Sequence, residues 1–451
     1  MSSTGEQRRG VNRGIELILL GVLVGLMLLA SHATHEGGRS HALAALGFLL
    51  LAGTVAANVL EPLGIPHLTA YLLTGMAAGP YALHLVDHQA VEELNSINAL
   101  ALSLISLAGG AELRVSKLIS AARSLLWATL LQNVLVLILM AAAFLALQPF
   151  LPFTAGLPLT VVIGIALLWG VVGITRSPSA TLGVLSQTGA KGPLATFTLA
   201  FVMTSDVVVV VVLAVVFTVT RPLLEPGSAF SLQAFRELGH EVLGSVALGS
   251  TLGLLLAAYL RFVGRQLVLV FVALGLVMTQ VLDYLRFDWL LIFITAGFVV
   301  QNLSSQGEKF IQSIDRLGEV VYVVFFAIAG AHLDLPLLGK LWPVALALGV
   351  GRALVTVGAG KVASHLARDP PALRTWAWSG LVSQAGLALG IAAKIQNQFP
   401  TFGDAFAAMA VATVALNELV GPVLFKTALD RTGESTRHEA TEPAPAATSS
   451  T

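Results

Sequence analysis

Asp206 is the single ionisable residue in a 25-residue apolar run, Leu194 to Thr218 (LATFTLAFVMTSDVVVVVVLAVVFT). That run is long enough to cross a bilayer as one helix. A carboxylate at the centre of a membrane helix costs about 2.5–3.5 kcal/mol on insertion scales, so it is rare unless it faces a cavity or a partner. Loss of water favours the protonated form of such a group, while a nearby cation favours the ionised form, so the same oxygens can hold a proton and a metal ion in turn. Competition of that kind is the chemistry of exchange. The plainer alternative is a buried aspartate that only hydrogen-bonds to its neighbours or pairs permanently with an arginine.

A second group of residues interrupts the run from Leu157 to Leu185, where Thr175-Arg176-Ser177-Pro178 stands inside an otherwise hydrophobic stretch. Proline removes a backbone donor and breaks the helix. Irregular backbone at membrane depth survives where it lines a cavity or is buried in protein. Alone, this could be an ordinary proline kink. Its counterpart in the second half, Ser383-Gln384-Ala385-Gly386, makes a pair of breaks, the discontinuous-helix arrangement of secondary transporters. Freed carbonyls, half-helix ends and Thr or Ser hydroxyls can there replace a cation's water.

Two more mid-span charges complete the inventory. Arg352, in GVGRALVTVG, keeps its proton in practice and needs an acid or carbonyl partner. Asp206 and Glu418 are the mid-span acids available to it, and both a structural clamp and a direct part in transport are open. Glu418, in NELVGP, reads as a structural partner within the second half. With one Asp, one Glu and two Arg at mid-span, no Ser-His or paired-Asp arrangement supports an intramembrane hydrolase.

The elements that must carry these residues are membrane helices. The chain of 451 residues is 56% hydrophobic and 11% charged, with a mean hydropathy of +0.84, whereas soluble domains carry roughly 25% charged residues. The expected fold is an all-α polytopic membrane protein. Its 14 apolar runs start near residues 14, 43, 65, 97, 124, 157, 194, 240, 266, 289, 317, 341, 374 and 403. The first, Gly14 to Ala30, follows three arginines and could be a cleaved signal peptide, but is read as a retained helix, giving 13–14 spans. Nothing between the runs is long enough for a soluble catalytic domain, so no enzyme and no cofactor are expected. Zero net charge gives no sign of nucleic acid. The absence of cysteine removes disulfides and thiolate sites. His32, His35 and His41 cluster in the first outside loop and are read as solvated.

Lys and Arg set the orientation. With a cytoplasmic N-terminus, 17 of the 25 fall on the inside and 6 on the outside, so both termini are placed in the cytoplasm. The halves also resemble each other. AYLLTGMAAGP near Gly75 pairs with IFITAGFVV near Gly297, and LAGGAELRVSKL pairs with AIAGAHLDLPLL through Gly110 and Gly330. The same offset sets Gln132 opposite Arg352, and TRSPSATLGVL followed by the Asp206 helix matches LVSQAGLALGI followed by VALNELVGP. Six spans repeat at a shift of seven, an odd number, so the repeats are inverted in the membrane. The expected layout is a transmembrane domain over 1–432, with repeat one at about 43–218, a linking helix at about 240–260 and repeat two at about 266–428. Residues 433–451, rich in Thr, Ala, Ser, Glu and Pro, are expected to be a disordered cytoplasmic tail.

In order, LGIPHLTAYLLTGMAAGPYALHLV, ISLAGGAELRVSKL, TRSPSATLGVL, the Asp206 helix, VVFFAIAGAHLDL, GVGRALV and ALNELVGPVLFKTAL resemble the monovalent cation/proton antiporter superfamily, with a sodium/proton exchanger-like, Kef-type or NhaP-like membrane domain. The resemblance implies a homodimer in the inner (plasma) membrane, two crossing discontinuous helices, and a core that moves by an elevator-like step. It implies exchange of a monovalent cation, Na⁺ ahead of K⁺, for H⁺. By the resemblance Asp206 matches the ion-binding aspartate, Thr175 and Ser177 the polar positions at the first break, and Arg352 the basic residue of a core helix that tunes the aspartate. Ser205 is then a supporting neighbour, and Ser383 and Gln384 line the second break. The Kef-type branch often continues into a nucleotide-binding domain, which is not expected here. Two departures follow. Ser205 stands where the family commonly has Asp or Asn, so a lone carboxylate fits one proton per cation. Arg176 puts a fixed positive charge in the first break: it points toward the cytoplasmic end, or pairs with Asp206, or has altered the substrate. The last possibility leaves open a non-transporting or anion-handling protein on the same scaffold.

Overall fold

In a bilayer every peptide group must find its hydrogen bond within the protein, which leaves helices as the solution for a chain this apolar. The structure, a computed structural model, describes residues 18–27, 38–63, 65–224, 233–267, 270, 271, 273–275, 287, 289–305, 307–333, 335–384 and 386–435. All regular elements among the described residues are helical. The first half holds α1 (Ile18–Met27), α2 (Gly38–Leu60), α3 (His67–Ala78), α4 (His88–Glu93), α5 (Asn95–Glu112), α6 (Val115–Ser120), α7 (Ala122–Leu147), α8 (Leu159–Ile174), α9 (Pro178–Thr188) and α10 (Pro193–Leu224). After α11 (Gln233–Phe262) come α12 (Trp289–Leu303), α13 (Gly307–Ala331), α14 (Leu335–Ala367), α15 (Pro371–Trp376), α16 (Gly386–Gln398) and α17 (Gly403–Thr432).

By length and composition, 7 helices among the described residues can cross a membrane, with α8 and α9 counted as one broken span. Shorter apolar helices are Ile18–Met27, Leu291–Leu303, Val320–Ala331 and Leu387–Gln396. The 12-residue α3 and the 15-residue α12 each cross a partner helix inside the protein. Parts of the first expected span, all of the loop holding His32 and His35, and most of the span near 266 lie outside the described residues.

Glycines decide how these short helices cross. A side chain on Gly75 of α3 would run into the backbone of Ala327 on α13, and one on Gly330 of α13 into the backbone of Leu72 on α3. The same reciprocal contact joins Gly110 of α5 to Ile294 of α12, and Gly297 of α12 to Leu107 of α5. Each crossing thus takes one glycine from each half of the chain. Asn302 of α12 locks the second crossing: its amide donates to the Leu113 carbonyl at 2.8 Å and its oxygen accepts from the Val115 N–H at 2.9 Å. Gly351 and Gly358, which by sequence also suggest close helix contact, face open space.

α7 packs against α8 and α14, and both α7 and α14 are two-faced. Leu126, Leu130, Val134 and Ile138 are exposed along α7, as are Leu346, Val350 and Leu354 along α14. A stripe at four-residue spacing faces one side of a helix, here the lipid. The opposite faces bury Gln132 and Val136 on α7, and Leu348, Arg352 and Thr356 on α14.

The folded part runs slightly past the expected boundary at 432. Gly433 ends α17 with φ 70°, and Glu434 turns back onto the start of α10. Its two carboxylate oxygens accept the N–H groups of Leu194 and Ala195 at 2.8 Å each. A carboxylate there satisfies donors the first helical turn cannot pair and faces the positive end of the helix dipole. Residues 436–451 of the expected tail lie outside the described residues.

The crossings give a stability test. Gly75→Leu forces α3 from α13 and should cost at least the 1–3 kcal/mol or so of an overpacked core, seen as a lower thermal midpoint of the detergent-purified protein. Gly358→Leu, with nothing within reach of its Cβ, should change stability by no more than about 0.5 kcal/mol and leave the midpoint near the parent's.

Candidate ion site at the two helix breaks

Pro178 sits at the first position of α9, where its missing N–H is no loss. It also forces the preceding residue out of the helical region. Ser177 is accordingly extended (φ −114°, ψ 99°), and its hydroxyl accepts the Ala180 N–H at 3.1 Å as the N-cap of α9. Thr175 ends α8 in extended backbone, its hydroxyl donating to the Val172 carbonyl at 2.8 Å. The break from 175 to 177 is buried. It leaves the last carbonyls of α8 without helical partners.

The second break follows a 3-10 turn, Ala377–Leu381, and passes through Val382, Ser383 and Gln384. It is wedged between two helices: a side chain on Gly380 would strike Thr198 of α10 and Phe425 of α17. Gly421 of α17 comes so near Ser383 that a Cβ would lie 2.6 Å from its backbone nitrogen. Gln384 reaches across to the first break, its amide nitrogen donating to the Val172 carbonyl at 2.7 Å and the Thr175 hydroxyl at 2.8 Å. Its oxygen accepts from Asn417 of α17 at 2.7 Å.

Arg352 ties the two breaks together. From α14 it donates through Nε to Gly173 O at 2.8 Å and through Nη2 to Thr175 O at 2.7 Å, both at the end of α8. It also donates through Nη1 to Val382 O at 2.6 Å and through Nη2 to Leu381 O at 3.3 Å, both at the second break. Of the acid and carbonyl partners open to it by sequence, its hydrogen bonds all go to carbonyls. The fork of N–H donors matches freed carbonyls at two chain ends, and its charge meets the negative dipole end of α8.

Arg176 turns inward and is 1% exposed. Its Nη1 donates to Thr175 O at 2.9 Å and Gly173 O at 3.3 Å, and its Nη2 to Gln132 Oε1 at 3.2 Å. Gln132 in turn donates to Thr356 O on α14 at 3.0 Å. Arg176 also interacts electrostatically with Asp206. Asp206 is half-buried on α10, about 12 Å along the helix axis from Thr198. Beside it Ser205 is fully buried, and its hydroxyl finds no hydrogen-bond partner among the described residues. Glu418 sits across the site on α17, where one carboxylate oxygen accepts from the Ser177 hydroxyl at 3.4 Å.

The structure therefore gathers Thr175, Arg176, Ser177, Gln384, Arg352 and Glu418 into one buried polar assembly, with Ser383 packed at its edge. Asp206 acts on it electrostatically from α10 through Arg176, and Ser205 is the residue before it on that helix. Gln132 and Asn417 belong to the same network, although the reading of the sequence gave neither a site role. A signal was present: both are amides in otherwise apolar spans, one placed opposite Arg352 by the repeat and the other next to Glu418.

Comparison with known proteins gives a match to the family model described as sodium/hydrogen exchanger, transmembrane, over residues 46–430. Two solved structures of the sodium proton antiporter MjNhaP1 from Methanocaldococcus jannaschii are similar in fold. The one at pH 8 has 17% identity and a TM-score of 0.65, over 88% of this chain and 97% of that one. The other, from an electron-microscopy map, has 17% identity and a TM-score of 0.69, over 87% and 98%. No curated protein matches.

Arg352→Lys separates a clamp from a charge. Lysine keeps the positive charge but lacks the planar fork, so most of the four carbonyl contacts are lost, each bond to a charged donor being worth about 1.5–3 kcal/mol. A large fall in thermal midpoint is expected in detergent. A midpoint equal to the parent's would show that charge alone is needed.

Proposed function

Because the chain belongs to the sodium/hydrogen exchanger family, we propose that it is a secondary antiporter that exchanges a monovalent cation for H⁺, with Asp206 as the group where cation and proton compete. Family membership favours Na⁺ over K⁺. The observation that carries this reading is the Ser205 hydroxyl, buried without a hydrogen-bond partner among the described residues, one residue from Asp206, a half-buried carboxyl that interacts electrostatically with Arg176 of the first break. A hydroxyl left unpaired in a protein interior costs about 1–3 kcal/mol, and a bound cation would use it. The Ser177 hydroxyl supplies a further oxygen, while the carbonyls of Gly173 and Thr175 are taken by Arg352 and Arg176. The Thr175 hydroxyl is already held by Gln384 and orders the break. Arg352 acts on Asp206 indirectly, by fixing both breaks in place.

In this reading the protein is a multi-pass protein of the inner (plasma) membrane with both termini cytoplasmic, in keeping with its Lys and Arg bias, and works as a homodimer in the lipid bilayer. Protonation of Asp206 on one side and cation binding on the other couple the two fluxes, because one carboxylate cannot hold both at once. Reconstituted Asp206→Asn should reduce sodium-driven proton movement, followed with an enclosed pH-reporting dye, to the level of empty vesicles. Persistence of that movement would overturn the assignment.

One observation favours a second reading, in which Asp206 is neutralised and the scaffold does not transport cations: Arg176 is buried and acts electrostatically on Asp206. Its hydrogen bonds to Gly173, Thr175 and Gln132 instead support a fixed charge that closes the end of α8. The two readings differ in Arg176→Ala. The leading one expects exchange in the parent and a weaker apparent sodium affinity or slower exchange in the variant. The second expects an inactive parent and exchange only in the variant.

A further inference from the structure

Glu418 is 5% exposed in the middle of α17, and one of its carboxyl oxygens, Oε2, has no hydrogen-bond partner among the described residues. Its other oxygen accepts from Ser177. The Gln384 backbone N–H from the second break faces the group, and Arg352 from α14 is the charged side chain acting on it among the described residues. That arginine is committed to four carbonyls, and no ion pair joins it to Glu418. From α3, Thr69 donates to the Leu419 carbonyl at 3.5 Å and leaves the carboxyl alone. An ionised carboxylate held by one hydroxyl and the edge of an amide is poorly compensated in such a place. A neutral carboxylic acid fits better.

We propose that Glu418 is a second proton-carrying group of the exchange cycle, which rests on the exchange reading above. Ser177 connects it to the ion. When a cation takes the Ser177 oxygen, its charge lies one hydroxyl away from Glu418 and favours the ionised carboxylate, so the proton leaves. When the cation departs, the proton returns. With one proton on Asp206 and one on Glu418 exchanged for one monovalent cation, each turnover moves one net positive charge. This extends the one-proton expectation drawn from a lone mid-helix aspartate, because the second acid comes from the far end of the chain and meets the site only at the first break.

Two measurements test the proposal separately from the exchange reading. Infrared spectra of purified Asp206→Asn protein, in which Asp206 contributes no carboxyl signal, should show a buried carboxylic-acid carbonyl band at neutral pH that disappears when Glu418→Gln is added. A band unchanged by Glu418→Gln, or no such band at all, overturns the proposal whatever transport shows. In the second measurement, sodium-concentration jumps on membrane-adsorbed proteoliposomes should give a transient current in the parent. Exchange remaining in Glu418→Gln should fall from one elementary charge per cation to none, while Glu418→Asp, which keeps a carboxyl, should retain current. Parent exchange without current, or undiminished current per cation in Glu418→Gln, overturns it. A parent that moves no protons with sodium overturns the exchange reading instead, and the infrared band then still reports on Glu418 itself.

Discussion

The guanidinium of Arg352 holds the interior together. Breaking two helices inside a membrane frees backbone carbonyls that have no water to turn to, and in such a medium each unsatisfied group costs several kcal/mol. One side chain meets Gly173, Thr175, Leu381 and Val382 at once, so the two breaks are stable only as a pair. Neither break could open independently without stranding the other's acceptors. The site is therefore built as a unit, and any motion of α8 that kept these bonds would carry the second break and α14 with it.

The remaining polar groups divide into fixed and variable charges. Arg352 and Arg176 keep their protons under all ordinary conditions, and both are pinned to carbonyls. Gln384, Asn417 and Gln132 are neutral and fill donor and acceptor positions between the helices. Among the described residues around the two breaks, that leaves Asp206 and Glu418 as the groups able to change charge. Since a buried net charge is costly, the occupancy of the site by cation or proton is set against a constant positive background. Arg176, which looked out of place for a cation site, supplies part of that background while completing the end of α8.

Much of this was legible in the chain itself. Proline after Ser177 marks the break, because a missing N–H and a restricted preceding residue act locally. Gly75, Gly110, Gly297 and Gly330 could be paired by their setting, and they are the residues at the two crossings. Gly351 and Gly358 looked the same in sequence yet face outward, since helical periodicity alone does not say which side meets a neighbour. The partner of Arg352 was equally hidden: an acid and a carbonyl both satisfy an arginine, and the carbonyls come from residues whose side chains give no hint of it.

By itself the sequence determined that the chain is an all-helical membrane protein, that two spans are interrupted, and that one aspartate stands in an apolar helix. These follow from hydropathy, proline chemistry and the cost of charge in lipid, which act within a single segment. Only the tertiary structure decided who meets whom: Arg352 with both breaks, Ser177 with Glu418, and Glu434 with the start of α10. Those pairings join residues far apart in the chain, and they depend on how closely glycine-lined helices cross, a distance that no local pattern encodes.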